Sequence, residues 1–312
     1  ELEVCLSGAN IEQPGETTIP AKKAADIIRE LPEGQVSFEL NEESSKLTVK
    51  SSSGKYNLST IPGSDFPDFD VIKSDTTHKI TPNKLYELFL KTSFAMANQD
   101  WRHYLNGCLF EKTGSSINMV ATDAHRLAIY KSNLEGEGDF TGIVPRKTVI
   151  ELMKILPKQE DEIEFYINSN NIVFMSKKFT FKSKLIDGNY PNYNQVVPQG
   201  EGSKITFNRK NMLDSLSRVS VLTSEKFKGV KLKTESGVLD ISAHNPDQES
   251  AEEKLDVTSA GNEFDIAFNV NYLKEVLGTI DEEEISLISF GSDKSALVES
   301  GDSNQVLVLM PL

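Results

Sequence analysis

The sequence is poor in the residues that would assign a chemistry at first sight. Its 312 residues include 2 cysteines, Cys5 and Cys108, which excludes a disulfide framework and a cysteine-rich zinc site. The 4 histidines share no spacing typical of a metal site. We therefore expect no metal and no cofactor, and the scarcity of cysteine favours a reducing, cytoplasmic setting.

Motifs for membrane insertion, nucleotide binding and catalysis are also missing. No apolar run approaches the roughly 20 residues of a membrane span, and residues 1–15 lack the basic start and apolar stretch of a signal peptide. No glycine-rich phosphate loop of the form G-x-x-x-x-G-K-[ST] occurs. Thr122, Asp123 and His125 are close in sequence, but neighbours in a strand or tight turn point apart, whereas a catalytic triad must converge. We expect neither membrane association nor catalytic residues.

Basic residues are outnumbered by acidic ones. The chain has 33 Lys and Arg against 47 Asp and Glu, a formal net charge of −14. Taken alone, this balance argues against nucleic-acid binding, for which a basic surface is expected. The total does not say where the charges lie, so it must be resolved by segment.

What the sequence does contain is a repeat of domain size. Segment 18–32 resembles segment 143–157, with Pro20 and Pro145 separated by 125 residues, as are Pro32 and Pro157. Further matches at offsets of 124 or 125 are 66–69 with 190–193, 79–81 with 204–206, and 143–156 with a fainter copy at 267–280. This period is far above the 20–50 residues of solenoid repeats, so the repeated unit is a whole domain.

The offsets divide the chain into three copies, at 1–74, 75–200 and 201–312. The first copy is expected to be partial, because Glu1-Leu-Glu-Val aligns with Arg126-Leu-Ala-Ile in the second copy. The chain also opens within an alternating segment and without an initiator Met. We therefore expect the first copy to lack the counterpart of roughly residues 76–125.

Helical and alternating patterns occur in every copy, which predicts an α+β fold. Each complete copy is expected to have two helices packed on antiparallel sheets. The predicted helices are 20–31, 82–96, 145–156, 208–219 and 269–280. The predicted strands are 37–40, 46–50, 163–167, 172–174, 238–241 and 306–309, with turns at 111–114 and 234–237.

Positive charge is concentrated in these helices. They hold 12 Lys or Arg and 6 Asp or Glu, a net charge of +6 in a chain of net −14. Lys84 and Lys91 are seven residues apart and share one helix face. This distribution is expected if the helices meet a polyanion. The alternative is an ordinary solvated face, since amphipathic helices normally carry charge on the outside.

Several segments together resemble the beta subunit of bacterial DNA polymerase III, the sliding-clamp family, and the resemblance covers the whole chain. The segments are 18–32, 58–67, 104–107, 121–128, 143–147, 224–230, 245–249 and the Met310-Pro311 ending. The resemblance implies three clamp domains per chain and a head-to-tail homodimer. It also implies a ring that encircles duplex DNA without sequence preference, with helices lining the hole.

The resemblance assigns residues to three surfaces. The implied DNA contacts are Lys22, Lys23, Lys84, Lys91, Gln99, Arg102, Tyr104, Arg146, Lys147, Arg209 and Lys210. The residues implied at the subunit interface are Tyr56, Val221 and Leu222. For the 97–104 loop, a plain surface loop is the alternative.

The third surface is a peptide-binding groove between the second and third domains. It is implied for Leu105, Thr122, Ala124, His125, Arg126, Leu127, Pro191, Val196, Ser295, Val308, Leu309, Met310, Pro311 and Leu312. Aliphatic walls would anchor apolar side chains, and Thr122, His125 and Arg126 would form a polar rim. For Val308 and Leu309, inter-domain core is a second interpretation.

The groove implies protein partners, and the sequence departs from the family pattern at two of its positions. The implied partners are the polymerase III alpha subunit, the clamp loader, and other polymerases and repair proteins that carry short clamp-binding peptides. The family usually has Gly at the position of Ala124, and an Arg usually follows the position of Leu312. A nucleoid-associated, cytoplasmic processivity factor is therefore expected, and a peptide-binding scaffold that never encircles DNA is the alternative.

Overall fold

The structure, a computed structural model, describes residues 1–5, 8–66, 76–224, 226, 228–260 and 265–312. The chain divides into two compact units, the smaller being Cys5–Ile72 and the larger Glu1–Val4 with Lys73–Leu312. The predicted boundary at 74/75 and the repeat segment at 67–69 lie outside the described residues. The positions of both predicted domain boundaries stay predictions.

The smaller unit is a short helix on a three-stranded sheet. Strand β1 (Leu2–Val4) belongs to the larger unit. The elements of the smaller unit are β2 (Thr17–Thr18), α1 (Ala21–Glu30), β3 (Ser37–Asn41), β4 (Lys46–Lys50), β5 (Lys55–Ser59) and β6 (Ile61–Pro62). Its core is Leu47, Val49 and Leu58, with Ala24 and Ile27 packed against them from α1.

The larger unit holds two consecutive sets of strands with two helices each. The first set is β7 (His78–Ile80), α2 (Pro82–Leu90), β8 (Gly107–Thr113), β9 (Ser116–Thr122), β10 (Arg126–Asn133), β11 (Phe140–Pro145), α3 (Arg146–Ile155), β12 (Ile163–Ile167), β13 (Asn171–Met175) and β14 (Phe179–Lys184). The second set is β15 (Ser203–Asn208), α4 (Arg209–Val219), β16 (Gly229–Glu235), β17 (Val238–His244), β18 (Ser250–Asp256), β19 (Thr258–Ala260), β20 (Asp265–Asn269), α5 (Val270–Gly278), β21 (Glu284–Ser289), β22 (Ala296–Glu299) and β23 (Gln305–Leu309). Short 3-10 turns occur at Gly63–Asp65, Ser93–Ala95, His103–Leu105, Leu156–Lys158, Tyr193–Gln195 and Ser220–Leu222.

The helices begin where the sequence offers a cap. The Thr81 hydroxyl accepts a hydrogen bond from the Lys84 amide at the start of α2, and the side chains of Asn208 and Asn269 cap α4 and α5 in the same way. Pro20 and Pro145 precede α1 and α3, so the two prolines matched by the repeat have the same structural role.

The strand pairs among the described residues are all antiparallel, and two of them join strands of different copies. The sheet orders are β1-β14-β13-β12-β7, β11-β8-β9-β10-β23-β22-β21-β15-β19, β18-β17-β16-β20, β2-β6 and β3-β4-β5. In the second sheet, β10 of the second copy pairs with β23, the last strand of the third copy. In the first sheet, β1 pairs with β14, the last strand of the second copy. One type of junction therefore occurs twice.

The core of the larger unit lies between the sheets and the helices. Leu85, Leu88 and Phe89 of α2 are fully buried, as are Val149 and Leu152 of α3. The spacing of these apolar residues is what predicted the helices. The predicted fold class is confirmed, since helices cover antiparallel sheets in each set.

Two local predictions were wrong. The helix predicted over 82–96 ends at Leu90, because the amide of Thr92 bonds to the carbonyl of Phe89 and the chain tightens into the 3-10 turn Ser93–Ala95. The turns predicted at 111–114 and 234–237 are shorter, because the flanking strands continue inward to Thr113 and Glu235. Ser236 and Gly237 have φ of +50° and +82°, as a two-residue hairpin turn requires.

Candidate functional site

The junction of β10 and β23 is built on the turn that precedes β10. The Asp123 carboxylate accepts hydrogen bonds from the amides of His125 (2.9 Å) and Arg126 (3.0 Å). The Thr122 hydroxyl donates to the Arg126 carbonyl at 2.6 Å and accepts from the Ala124 amide at 3.1 Å. These bonds fix a tight turn whose Ala124 has φ of +74°, in the left-handed region that favours glycine. The Met310 amide then donates to the His125 carbonyl at 2.8 Å, which attaches the end of the chain to the turn.

Strand alternation divides the predicted groove residues between two faces of the sheet. Leu127 pairs with Val308, and both belong to an apolar cluster that includes Tyr193. Arg126 pairs with Leu309, and Leu309 belongs to the core on the opposite face. Leu127 and Val308 are therefore placed to form the floor of a groove, whereas Arg126 and Leu309 are not.

The other predicted groove residues differ in exposure. The Ser295 hydroxyl donates to the Val196 carbonyl at 3.3 Å, which joins the segment before β22 to the end of the second copy. Leu105 is buried, Thr122, Ser295 and Pro311 are half-buried, and the exposed members are Ala124, His125, Pro191, Val196, Met310 and Leu312. The Leu312 amide donates to the Ala267 carbonyl of β20 at 2.9 Å. Exposed apolar side chains beside a buried apolar floor suit the capture of a peptide.

Arg126 is a buried structural hub, so its prediction as a polar rim residue was wrong. Its guanidinium donates to the Asp123 carboxylate at 3.2 Å, to Glu275 of α5 at 2.6 Å and to the Phe94 carbonyl at 2.6 Å. It also lies 4.6 Å from the ring centroid of Tyr272. These contacts join the second copy to the third beneath the sheet junction. Because successive side chains of a strand point to opposite faces, the sequence alone could have placed Arg126 and Leu127 on opposite faces of β10.

Glu275 and Tyr272 were missed by the sequence analysis. Tyr272 stacks against His125 with ring centroids 5.7 Å apart and an interplanar angle of 23°. Burial raises the pKa of the Tyr272 phenol, so that side chain stays neutral. Both residues lie on α5, and no local pattern connects them to the turn at residues 122–126.

A second candidate surface lies at the helix N-termini. Three helices begin with a pair of cations: Lys22 and Lys23 in α1, Arg146 and Lys147 in α3, and Arg209 and Lys210 in α4. None of the helices α1 to α5 has an acidic residue in its first turn. Because the helix dipole disfavours positive charge at this end, these cations cost stability, and an anionic ligand would compensate for it.

The predicted cations differ in how free they are. Lys22, Lys23, Lys147 and Lys210 are exposed, whereas Lys84, Arg146 and Arg209 are half-buried. The Lys84 ammonium donates to the Asn133 carbonyl at 2.9 Å, and the Arg209 guanidinium to the Glu282 carbonyl at 3.0 Å.

Lys91 does not belong with these cations. Its side chain is 9% exposed, and its ammonium donates to the Thr279 carbonyl at 2.9 Å and to the Asp281 carboxylate at 2.7 Å. It thus ties α2 to the end of α5. The prediction that Lys84 and Lys91 share an exposed face was wrong for Lys91, because the third copy covers that end of α2.

The 97–106 loop presents its predicted DNA contacts unequally. Gln99 is exposed and lines a cleft of about 350 Å³ with Arg146 and Lys147. Arg102 forms a two-pronged pair with Asp100, at 3.0 and 2.9 Å, and this pairing lowers the pKa of Asp100 to about 2. Tyr104 is half-buried against the apolar cluster of Leu127 and Val308. Gln99 is therefore the freest of the three, and Arg102 is largely neutralised.

The predicted interface residues lie on an edge strand of the smaller unit and in a turn of the larger unit. Tyr56 is on β5, at the edge of its sheet, and is 37% exposed. Val221, in the 3-10 turn that follows α4, is 77% exposed, and Leu222 beside it is half-buried.

Other sites receive less support. A cleft of about 570 Å³ lies beside the 185–193 segment, but Pro191 is the one predicted groove residue that lines it. In the described part of the chain, no group of three His, Cys, Asp or Glu residues is arranged to hold a metal ion. The helices of that same part lack the length and apolar character needed to cross a bilayer.

Comparison with known proteins gives a consistent result. Family models of the DNA polymerase III beta subunit match residues 1–70 (N-terminal domain), 79–192 (central domain) and 194–312 (C-terminal domain). The chain is 39% identical to the beta sliding clamp of Pseudomonas aeruginosa over 319 residues, covering 100% of this chain and 87% of that protein. It is 39% identical to the beta sliding clamp of Escherichia coli strain K12 over 317 residues, covering 100% and 86%. The crystal structure of the DNA polymerase III subunit beta from Pseudomonas aeruginosa superposes with a TM-score of 0.92 at 37% identity, covering 100% and 86%.

Proposed function

This chain belongs to the DNA polymerase III beta subunit family, the beta sliding clamps, and from that membership we propose that it encircles duplex DNA as a head-to-tail homodimer and tethers replication proteins to it. As a sliding clamp it is a processivity factor and not a catalytic enzyme. The expected location is the cytoplasm, on the nucleoid. The prediction that the first copy lacks its front half gains no support from the matches and stays a prediction.

The observation that carries the ring is the repeated sheet junction. The strand β10 of the second copy pairs with β23 of the third, and β1 of the first copy pairs with β14 of the second. In each case a strand of one copy pairs antiparallel with the last strand of the next copy. If every copy formed this junction, the first and the third copy would each keep one edge strand without its junction partner in the described chain.

The free strands are β5 and β18. The β4–β5 pair has the register of the β13–β14 pair 125 residues later, so β5 corresponds to β14. The hairpin β17–β18 corresponds to β9–β10, so β18 corresponds to β10. Both free strands lie at the edge of their sheets among the described residues. Pairing of β18 in one chain with β5 in another would repeat the junction between chains, which is a head-to-tail contact of the kind that closes rings.

The interface residues support this pairing. Tyr56 lies on β5, and Val221 follows α4 at the end of the third copy. The 3-10 turn Ser93–Ala95 follows α2 as Ser220–Leu222 follows α4, so its middle residue, Phe94, corresponds to Val221. The Phe94 carbonyl accepts a hydrogen bond from Arg126 at the junction of the second and third copies. Val221 is therefore expected to lie at the equivalent junction between two chains.

For DNA we propose contacts to the phosphate backbone alone. The exposed cations Lys22, Lys23, Lys147 and Lys210 stand at helix N-termini, where backbone amides also favour anions. Such contacts are sequence-blind and individually weak, so a closed ring can slide while topology retains it. Gln99 adds a polar contact beside Lys147.

For partners we propose short peptides with apolar anchors. Leu127 and Val308 form the floor, and Val196 and Met310 expose apolar surface beside it. Polymerase III alpha subunit, clamp loader, and other polymerases and repair proteins are the partners that this groove would serve. His125 remains an exposed polar residue at its margin.

The test is retention on DNA after loading. A clamp should stay on closed circular DNA and fall off when the circle is cut once. A peptide-binding scaffold that never encircles DNA should show no difference. If cutting the circle left retention unchanged, the proposal would be wrong.

A further inference from the structure

The single tryptophan of the chain is held in solvent. Trp101 exposes 82% of its surface, more than any other large apolar side chain among the described residues. It lies in the loop between the 3-10 turns Ser93–Ala95 and His103–Leu105. Leaving an indole in water forfeits about 2–3 kcal/mol of burial free energy. The side chain therefore contributes little to the core, and its exposure needs another explanation.

We propose that Trp101 is a stacking platform for an unpaired base of single-stranded DNA, beside the face that contacts the duplex. The proposal rests on the proposed function, because it assumes that DNA approaches the N-terminus of α3. It adds a class of ligand, the unpaired nucleotide, and a residue that binds it.

The loop holds Trp101 in place before any ligand arrives. The Asp100 amide donates to the Asn106 side chain at 2.9 Å, and the Asn106 amide group donates back to the Asp100 carbonyl at 2.8 Å. On the other side, the Arg102 amide and guanidinium donate to the Asp100 carboxylate at 2.8, 3.0 and 2.9 Å. The residues on both sides of Trp101 are thus fixed, so little ordering entropy is lost on binding.

Tyr104, three residues after the tryptophan, is committed to the fold. Tyr104 packs against the apolar cluster of Leu127 and Val308. Its ring cannot offer a face to a base without leaving that cluster. Trp101 and His103 are the exposed aromatic side chains of residues 97–106, and the indole of Trp101 has the larger face for stacking.

Arg102 beside the tryptophan is paired with Asp100, so the positive charge available to a phosphate lies at the start of α3. The Arg102 guanidinium carbon lies 5.7 Å from the indole centroid. The same loop, at Gln99, borders Arg146 and Lys147 at the start of α3. An exposed aromatic residue beside backbone-binding cations is the arrangement by which proteins hold single-stranded nucleic acid.

The indole selects unpaired bases over duplex. In a duplex the base faces are covered by their neighbours and only the edges face the grooves. A base freed from the stack offers its whole face. An exposed tryptophan can also anchor a protein partner, and that outcome is distinguished below.

The experiment uses the intrinsic fluorescence of Trp101, since no other tryptophan contributes. We expect quenching when the intact protein binds a short duplex with a single-stranded 5′ extension, and little change with the blunt duplex of the same sequence. In the Trp101→Phe, Glu160→Trp double variant, the tryptophan moves to another exposed position, and its fluorescence should not respond. Equal quenching by the blunt duplex would overturn the proposal, as would quenching by a clamp-binding peptide and not by DNA.

Binding measurements supply a second readout. Trp101→Ala should weaken binding to the extended duplex about tenfold, or about 1.4 kcal/mol, within the range for one stacked base. Trp101→Phe should recover most of the affinity, and binding to the blunt duplex should be unchanged in both variants. Equal affinity of Trp101→Ala and the wild type for the extended duplex would overturn the stacking proposal. It would leave the sliding clamp intact, because retention on closed circular DNA is measured separately.

Discussion

At the scale of single residues, the turn before β10 contains a residue in a conformation that glycine adopts more easily. Ala124 has φ of +74° and is exposed. The left-handed region costs a non-glycine residue about 1–2 kcal/mol. The turn persists because Asp123 and Thr122 hold it with four hydrogen bonds. The glycine that the resemblance implies at this position would therefore have a backbone explanation.

We expect Ala124→Gly to stabilise the protein by about 0.5–1 kcal/mol, because the relief of backbone strain exceeds the entropy lost by ordering a glycine. The measurement is the midpoint of denaturant unfolding at constant slope. Ala128→Gly is the matched control, since Ala128 is buried within β10 and its replacement should destabilise. A lower midpoint for Ala124→Gly would contradict the prediction.

The pair of Lys91 and Asp281 should respond unequally to the loss of either partner. The Lys91 side chain is 9% exposed and that of Asp281 is 90% exposed. Removing Asp281 leaves a buried ammonium with the Thr279 carbonyl as its remaining acceptor, whereas removing Lys91 leaves a carboxylate in water. We expect Asp281→Asn to cost about 1–2 kcal/mol and Lys91→Met, which fills the same space, to cost less than about 1 kcal/mol.

The same pair gives a pH dependence with a definite sign. The hydrogen bond from Lys91 lowers the pKa of Asp281 below its ordinary value of 3.8. The stabilisation is therefore fully present above about pH 4 and is lost as the pH falls through the lowered pKa. The difference in unfolding free energy between wild type and Asp281→Asn should shrink on acidification below pH 4. A difference that grew on acidification would contradict this assignment.

At the scale of elements, the helices were predictable and their contacts were not. Helix α3 was expected at 145–156 and runs from Arg146 to Ile155, because its apolar residues recur at helical spacing. The environment of Lys91 was missed because its partners lie 188 and 190 residues away. Periodicity describes which side of a helix is apolar, and it carries no information about what another domain covers.

The candidate site shows the same limit. Residues of the turn at 122–126 and of the strand after it were among the predicted groove residues. Strand alternation could have placed Arg126 on the face of β10 away from Leu127. The hub around Arg126 could not be predicted, since Glu275 lies 149 residues away. Trp101 also escaped notice, because sequence alone does not distinguish an exposed tryptophan from a core one.

The cations at helix N-termini allow stability and function to be separated. We expect Lys147→Gln to weaken retention on DNA while changing the free energy of unfolding by less than about 0.5 kcal/mol, because Lys147 is exposed and its loss relieves an unfavourable interaction with the helix dipole. The slope of log affinity against log salt concentration should become shallower by about 1, which corresponds to the loss of one phosphate contact. Lys147→Arg should behave as the wild type in both measurements. Unchanged DNA retention in Lys147→Gln would remove Lys147 from the proposed lining.

At the scale of the whole molecule, the acidic total and the basic helices are reconciled when the charge is counted by segment. Strands of different copies pair at β10–β23 and at β1–β14, and the proposed ring would repeat this junction between two chains. The predicted helices carry a net charge of +6, so the rest of the chain carries a net charge of −20. Basic helices are therefore compatible with a chain of net charge −14, because the total does not fix where the charges lie.

The proposed ring depends on pairing of β18 with β5 of a second chain, and a substitution at Val221 tests that pairing. Because Val221 is 77% exposed, Val221→Asp should leave the fold stable. In the dimer, however, it would bury an unpaired carboxylate, which should weaken association by about 2 kcal/mol or more, a factor of about 30. Sedimentation equilibrium should then show a shift from dimer to monomer, and retention on closed circular DNA should fall with it. Ile11→Asp is the matched control, an exposed aliphatic residue outside the proposed interface, and it should remain dimeric. A Val221→Asp protein that dimerised as tightly as the wild type, or a wild type that stayed monomeric at every concentration, would exclude the proposed pairing.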